Sequence, residues 1–200
     1  MADDDEIPEL TDIEKARWAA AKRAISGMAE AFAAGTIDDE GLLATHSQIR
    51  SIDLDMSRVV DSLHIPEDAG EHAQALERVL RRIPPRWGRW ISCDRGWYPL
   101  IVRVDDQLAD LDPGYAVHQI KEKFGGLRYY FRPSDGVAKS VRDAMAAVVR
   151  AAETESDRTC ERCCRSGRPR VRQGWHKTLC DMCAADLGFE AAGRGGESTR

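Results

Sequence analysis

The chain has 200 residues, 42% hydrophobic and 32% charged, with a formal net charge of −5. That balance suits a soluble folded protein, and no apolar run approaches the ~20 residues of a membrane span, so no membrane partner is expected. The first residues, Met1-Ala2-Asp3-Asp4-Asp5-Glu6, are acidic where a secretory signal would be basic and then apolar. The expectation is a cytoplasmic protein, whose cysteines serve as metal ligands or reduced thiols rather than disulfides.

The charge is unevenly placed. Residues 3–14 carry seven acidic side chains and no basic one. Residues 158–177 carry Arg158, Arg162, Arg165, Arg168, Arg170, Arg172 and Lys177 against the single acid Glu161. An acidic head with a basic tail suggests either a polyanionic partner for the tail or pairing of the two ends.

Residues 1–10 are expected to be a disordered acidic N-terminus. Thr11-Asp12-Ile13-Glu14 reads as a capping box that opens a helix to about Ala34, stopped by Gly35. Its apolar positions Trp18, Ala21, Ile25, Met28 and Phe32 fall three and four apart. A second helical pattern covers about Asp38 to Leu63, with Leu42, Ile49, Met56 and Leu63 at heptad spacing. Residues 11–64 therefore read as an antiparallel helical hairpin, a packing element or an arm for homodimerisation or for a protein partner.

An α+β core is expected over 66–157. A helix over 67–82 presents Ala73, Leu76, Val79, Leu80 and Ile83, and Pro84-Pro85 ends it. Trp87, Trp90 and Trp97 follow, as a core lid or a stacking surface. Tyr98-Pro99 opens a helix to about Leu111, with Ile101, Val104, Leu108 and Leu111 inward. Residues Ala116–Phe124 and Leu127–Arg132 read as a β-hairpin turning at Gly125-Gly126, a helix over 113–124 being the competing reading. In that register Phe124 faces Leu127 and Ile120 faces Phe131. Glu122 and Tyr129 share their side, while Lys121, Lys123, Arg128 and Tyr130 show on the other. An amphipathic helix over 136–156 buries Val141, Met145, Val148 and Ala152.

Residues 158–188 read as a zinc-binding module. Cys160, Cys163, Cys180 and Cys183 form two C-x2-C pairs sixteen residues apart, the spacing that lets two tight turns complete a tetrahedron of thiolates around one Zn2+. Such a closed site is structural. Cys164 could take the place of Cys163, and Cys93 stands alone as a small apolar residue. The Gly-rich stretch 189–200 is expected to be a disordered tail.

Four separated motifs occur in order: Gly96-Trp97-Tyr98-Pro99-Leu100-Ile101, the run from Gln119 to Tyr130 (QIKEKFGGLRYY), Cys160-x2-Cys163, and Gly174-Trp175-x2-Thr178-Leu179-Cys180. Over roughly residues 87–185 the chain resembles an uncharacterised bacterial and phage protein family with a QIKEKFGGLRFY-type core and a C-terminal zinc knuckle. The last ligand in that family is often His, where this chain has Cys183, and either serves zinc. The resemblance implies no activity. Residues 11–64 lie outside it.

Arg168, Arg170 and Arg172 alternate, so a strand would set all three on one face. With Arg165 and Lys177 they are candidate nucleic-acid contacts; the alternative is that the basic stretch is only solvated, with Arg158, Arg162 and Arg165 balancing the thiolates. Lys121, Lys123, Arg128 and Tyr130 would extend that surface if the hairpin packs beside the module. A His-Asn-His nuclease is disfavoured, because His176 is the module's only His and the chain has no Asn. His118, Glu122 and Tyr129 could form an acid–base cluster, although an ion-paired Glu122 is the commoner arrangement. His46, His64 and His72 show no ligand spacing. The expectation is a non-enzymatic, zinc-stabilised accessory or regulatory protein associated with nucleic acid, of phage or mobile-element origin. The alternative is a protein–protein inhibitor (immunity, antitoxin or anti-defence) in which zinc only holds the fold.

Overall fold

Seven α-helices and two three-stranded sheets make an α+β chain in the computed structural model, which describes residues 6–33, 36 and 38–192. The helix stop at Gly35, the side chains of Phe32 and Ile49, residues 1–5 of the acidic head and residues 193–200 of the expected tail lie outside the described residues. The chain divides into two units, Met1–Leu63 with Pro85–Arg89, and His64–Pro84 with Trp90–Arg200.

In the first unit, α1 (Asp12–Ala33) begins with a reciprocal cap: Thr11 N–H donates to Glu14 Oε2 at 2.8 Å, and Glu14 N–H to Thr11 Oγ1 at 3.3 Å. The second helical pattern is two helices rather than one, α2 (Asp39–Ser51) and α3 (Met56–Asp61). Asp55 causes the break, its carboxylate capping α3 by accepting from Ser57 and Arg58 N–H, so the heptad does not run through. Leu42 and Met56, two positions of that heptad, are exposed. The stretch before α1 is held at its end: Leu10 is buried, and Ser62 Oγ donates to the Pro8 carbonyl at 2.8 Å.

In the second unit, a single 3-10 turn (Gly70–His72) leads into α4 (Ala73–Arg81), which buries Leu76, Val79 and Leu80. Strand β1 (Ile91–Ser92) and another 3-10 turn (Arg95–Trp97) precede α5 (Tyr98–Leu111), which buries Ile101, Val104 and Leu108 but leaves Leu111 exposed. Strands β2 (Ala116–Lys123) and β3 (Gly126–Arg132) form the antiparallel hairpin, with β1 parallel on the far edge of β2. Residues 116–123 are thus strand, not helix. Helix α6 (Lys139–Ser156) buries Met145, Val149 and Ala152; Val149 takes the place expected for Val148.

The hairpin turn is Phe124-Gly125, not Gly125-Gly126. Phe124 (φ 55°) and Gly125 (φ 78°) hold the two positive φ angles a type I′ turn needs, and Gly126 pairs with Lys123 inside the ladder. Ile120 therefore faces Tyr129 and Glu122 faces Leu127, a slip of two residues that keeps each side chain on its expected side but leaves Phe124 at the exposed tip. The turn is held by Gly125 N–H donating to Glu122 Oε1 at 2.6 Å.

The free edge of β3 is closed by α6. Leu127 N–H donates to Ser156 Oγ at 2.9 Å and Tyr129 N–H to Glu153 Oε1 at 3.2 Å. The remaining elements are β4 (Arg168–Arg172), β5 (Trp175–Leu179), α7 (Asp181–Leu187) and β6 (Glu190–Ala191), with sheet order β5-β4-β6. Residues 189–192, expected within a disordered tail, are ordered, because Phe189 is buried under the Arg172 guanidinium and β6 pairs with β4.

Candidate metal centre

The first cysteine pair sits on a turn between α6 and β4. Cys160 N–H donates to the Arg165 carbonyl at 2.7 Å and Cys164 N–H to the Cys160 carbonyl at 2.9 Å, folding residues 160–165 back on themselves. The second pair opens α7. Cys180 is its N-cap, accepting the Cys183 N–H on Sγ at 3.5 Å, and Gly188 in the left-handed conformation ends the helix.

The two turns bring the Sγ atoms of Cys160, Cys163, Cys180 and Cys183 within 4.8 Å of one another, with Cys163 and Cys180 at 3.6 Å. A tetrahedron with metal–sulfur bonds of about 2.3 Å has sulfur–sulfur edges of about 3.8 Å, so one ion fits with little movement. Cys160 and Cys183 are buried, and Leu179, Ala184 and Phe189 surround them. Cys164 is exposed and outside the cluster, so it does not replace Cys163.

Burial pushes the Cys163 thiol up, but hydrogen bonds from Arg165 and the neighbouring Cys160 and Cys180 thiols outweigh it and bring the pKa down to about 6. The Arg165 Nε–H donates to its sulfur at 3.5 Å. Burial pushes Cys160 and Cys183 up instead. A cation shared among the four would reverse that by stabilising every thiolate.

The cysteine segment belongs to the same unit as the α+β core. Trp97, fully buried, donates its Nε1–H to the Thr159 carbonyl at 2.8 Å. Gly96 N–H donates to the Glu161 carbonyl at 2.6 Å, and a Cβ at Gly96 would come within 2.4 Å of the Cys160 and Glu161 carbonyl oxygens. Thr178 Oγ1 donates to the Gly125 carbonyl at 2.7 Å, seating the first hairpin's turn on β5. Of the three tryptophans only Trp97 is a full core residue; Trp87 is exposed.

Most of the basic residues singled out in the sequence have internal partners. Arg168, Arg170 and Arg172 lie on alternate positions of β4. Arg168 binds Asp181 at 2.7 Å, and buried Arg170 binds the same carboxylate. Arg172 donates to the Leu187 carbonyl at 2.8 Å. Lys177 is drawn inward, 2.8 Å from buried Glu161 and 3.1 Å from Asp94. Arg165 lies against Cys163 and Met182, and Arg162 against Asp186. Glu161 and Asp94, missed as site residues, were signalled only by Glu161 being the lone acid of a basic stretch.

The β1–β2–β3 sheet has a different character. Its inner side holds buried Ile120, Leu127 and Tyr129. Its outward positions are Ser92, Gln119, Lys121 and Lys123, then Arg128, Tyr130 and Arg132, with no acidic residue. Lys121 Nζ lies 5.6 Å from the centre of the Tyr130 ring, and Lys123 Nζ lies 5.3 Å from that of Phe124. These two lysines sit over rings, where Arg168, Arg170 and Lys177 of the second sheet meet carboxylates.

Of His118, Glu122 and Tyr129, the last two are engaged with other partners. Glu122 accepts the Gly125 N–H instead of an arginine, and the Tyr129 hydroxyl lies 3.0 Å from that of Tyr115, which donates to Asp105. Among the described residues no helix is long and apolar enough to cross a membrane. The fold and site define an α+β protein with a four-cysteine cluster able to hold a metal ion. No protein-family model, curated protein or solved structure matches the chain.

Proposed function

We propose that the four cysteines hold one structural zinc ion, and that the protein is a non-enzymatic accessory or regulatory factor associated with nucleic acid. Four soft sulfur donors at tetrahedral spacing suit zinc, and a site closed by four protein ligands has no open position for substrate. Bound zinc would contribute roughly 10–16 kcal/mol of apparent free energy to folding. The donors fix the ion; the chain around it orients Trp97, Lys177 and the Phe124-Gly125 turn.

The observation that carries the nucleic-acid reading is the outward face of β1–β2–β3, with four cations on its two longer strands and no acid among its outward positions. Because Arg168, Arg170 and Lys177 are internally paired, phosphate contact falls mainly to this sheet. The motif resemblance and the use of arginine over lysine support an origin in a phage or mobile element.

The test is metal content of the purified chain, paired with mobility-shift titration of mixed single- and double-stranded nucleic acid at low salt. The expected result is one zinc per chain and binding that weakens steeply as salt rises. One zinc with no nucleic-acid binding overturns the reading and leaves the protein–protein inhibitor. In that case the exposed Ile13, Leu42 and Leu43 of the helical unit become the candidate contacts.

A further inference from the structure

We infer that the outward face of the β1–β2–β3 sheet binds single-stranded nucleic acid, with Tyr130 on the face and Phe124 at the adjoining turn tip as stacking platforms and Lys121, Lys123, Arg128 and Arg132 as phosphate contacts. The inference rests on the nucleic-acid reading above and specifies its ligand.

Spacing is the first argument. Alternate residues along a strand lie about 6.7 Å apart, and neighbouring strands about 4.8 Å apart. Lys121 and Lys123 therefore form one row, with Arg128, Tyr130 and Arg132 in the row beside it. An extended single strand presents phosphates at a comparable repeat along one such row, with bases free to lie over the next. A duplex offers no unstacked base to a ring, and the major groove of unbent B-DNA admits a helix or a two-stranded ribbon.

The aromatic residues are the second argument. Tyr130 is 44% exposed and Phe124 76% exposed. Phe124 occupies a left-handed turn position, φ 55°, that Asn, Asp or Gly would fill at lower cost. A bulky ring held there in solvent contributes nothing to the core, whereas a base stacked on it would gain from both ring and cation.

The third argument excludes the simplest competing occupant. A peptide added as an extra strand needs free N–H groups on the sheet edge. The edge of β3 offers none at Leu127 and Tyr129, because Ser156 and Glu153 of α6 accept them. The face remains open, and its charge is complementary to a polyanion. The turn is fixed from behind, Gly125 resting on the Lys177 backbone and its carbonyl accepting from Thr178, so the platform is preorganised. Stacking on a ring accepts any base, so sequence selectivity is weak.

The test is fluorescence anisotropy with the full chain and labelled oligothymidylate of about ten nucleotides, a usual single-strand site size, against a duplex of equal length. The single strand should bind at least tenfold more tightly. Tyr130→Ala should weaken it about tenfold, and Tyr130→Phe should restore it. Lys123→Ala should lower the slope of log affinity against log salt by about 0.7, the value for one single-strand phosphate contact. Both side chains are exposed, and unchanged circular dichroism and metal content will show that the variants fold. Equal or tighter duplex binding, or Tyr130→Ala without effect, overturns this inference and leaves nucleic-acid association standing. No binding of either oligonucleotide at low salt overturns both.

Discussion

The Lys177 ammonium lies 2.8 Å from Glu161 Oε2, and the Glu161 side chain is only 1% exposed. Burial raises the carboxyl's pKa, with the lysine opposing it; burial also opposes the lysine's charge, but Glu161 and Asp94 prevail and raise its pKa. The pair joins β5 to the first cysteine turn and, through Asp94, to the end of β1. Removing one partner of a buried pair leaves an uncompensated charge, at a cost of about 3–5 kcal/mol.

Lys177→Met should therefore lower unfolding stability by about 3 kcal/mol, the low end because Lys177 is a quarter exposed and Asp94 about half exposed. Lys177→Met with Glu161→Leu should recover most of the loss, since apolar replacement of both partners is often neutral. Urea titration of the three chains measures this. A single variant as stable as wild type would show that Lys177 is free for an outside partner.

Gly96→Ala tests the seam between α5 and the cysteine turn. The new methyl would lie 2.3 Å from the Cys160 carbonyl oxygen and 2.4 Å from that of Glu161, both rigid backbone atoms. Overpacking of this kind costs about 1–3 kcal/mol. The displacement would also move Cys160, so the variant should lose metal to a colour-forming chelator faster than wild type. Unchanged release kinetics would mean that the turn can yield.

The four-cysteine cluster was legible because C-x2-C spacing is local: a turn of fixed size presents two thiols whatever the rest of the chain does. Helix α5 and the hairpin were legible for the same reason, from a proline at the start and an apolar period. Long-range relations were not. Nothing near Lys177 signals Asp94, 83 residues earlier, so a cation committed inside the fold reads like a free one. The turn at Phe124-Gly125 escaped because two glycines follow one another and the φ > 0 pair could start at either. Seating of Gly125 on the Lys177 backbone, a tertiary contact, accompanies the first choice. The break before α3 was hidden because Asp55 caps only once Ser57 and Arg58 turn their N–H groups toward it, while the heptad runs on past it.

Cys164 gives a clean contrast within the cysteine turn. It is exposed at φ 63°, a left-handed conformation that costs a non-glycine residue about 1–2 kcal/mol. Cys164→Gly should keep one metal per chain and raise stability by up to about 1 kcal/mol, the gain being cut by glycine's greater unfolded-state freedom. Cys163→Ser should lower metal content, and chelation of wild type should melt the segment from Thr159 to Leu187 while α5 and α6 keep their helical signal. Metal loss on Cys164→Gly would place Cys164 among the ligands.

Asp112 supplies a pH dependence far from the thiols. Its carboxylate accepts from Ser134 N–H and Ser134 Oγ–H, both at 2.7 Å, and from Gly114 N–H at 3.2 Å, joining the end of α5 to the segment after β3. Burial pushes its pKa up, but these hydrogen bonds outweigh it and the net shift is downward from 3.8. A group whose folded pKa is depressed binds its proton more weakly folded than unfolded. Its contribution is therefore fully present above pH 3.8 and is lost as pH falls from there through the folded value. Asp112→Asn keeps the shape and removes the titration. The stability difference between wild type and Asp112→Asn should be constant at neutral pH and shrink below about pH 4, read as the gap between urea midpoints at each pH. Acid loss of metal affects both chains alike and cancels in that gap. A gap that stays constant into acid would mean that Asp112 is held by packing and not by its charge.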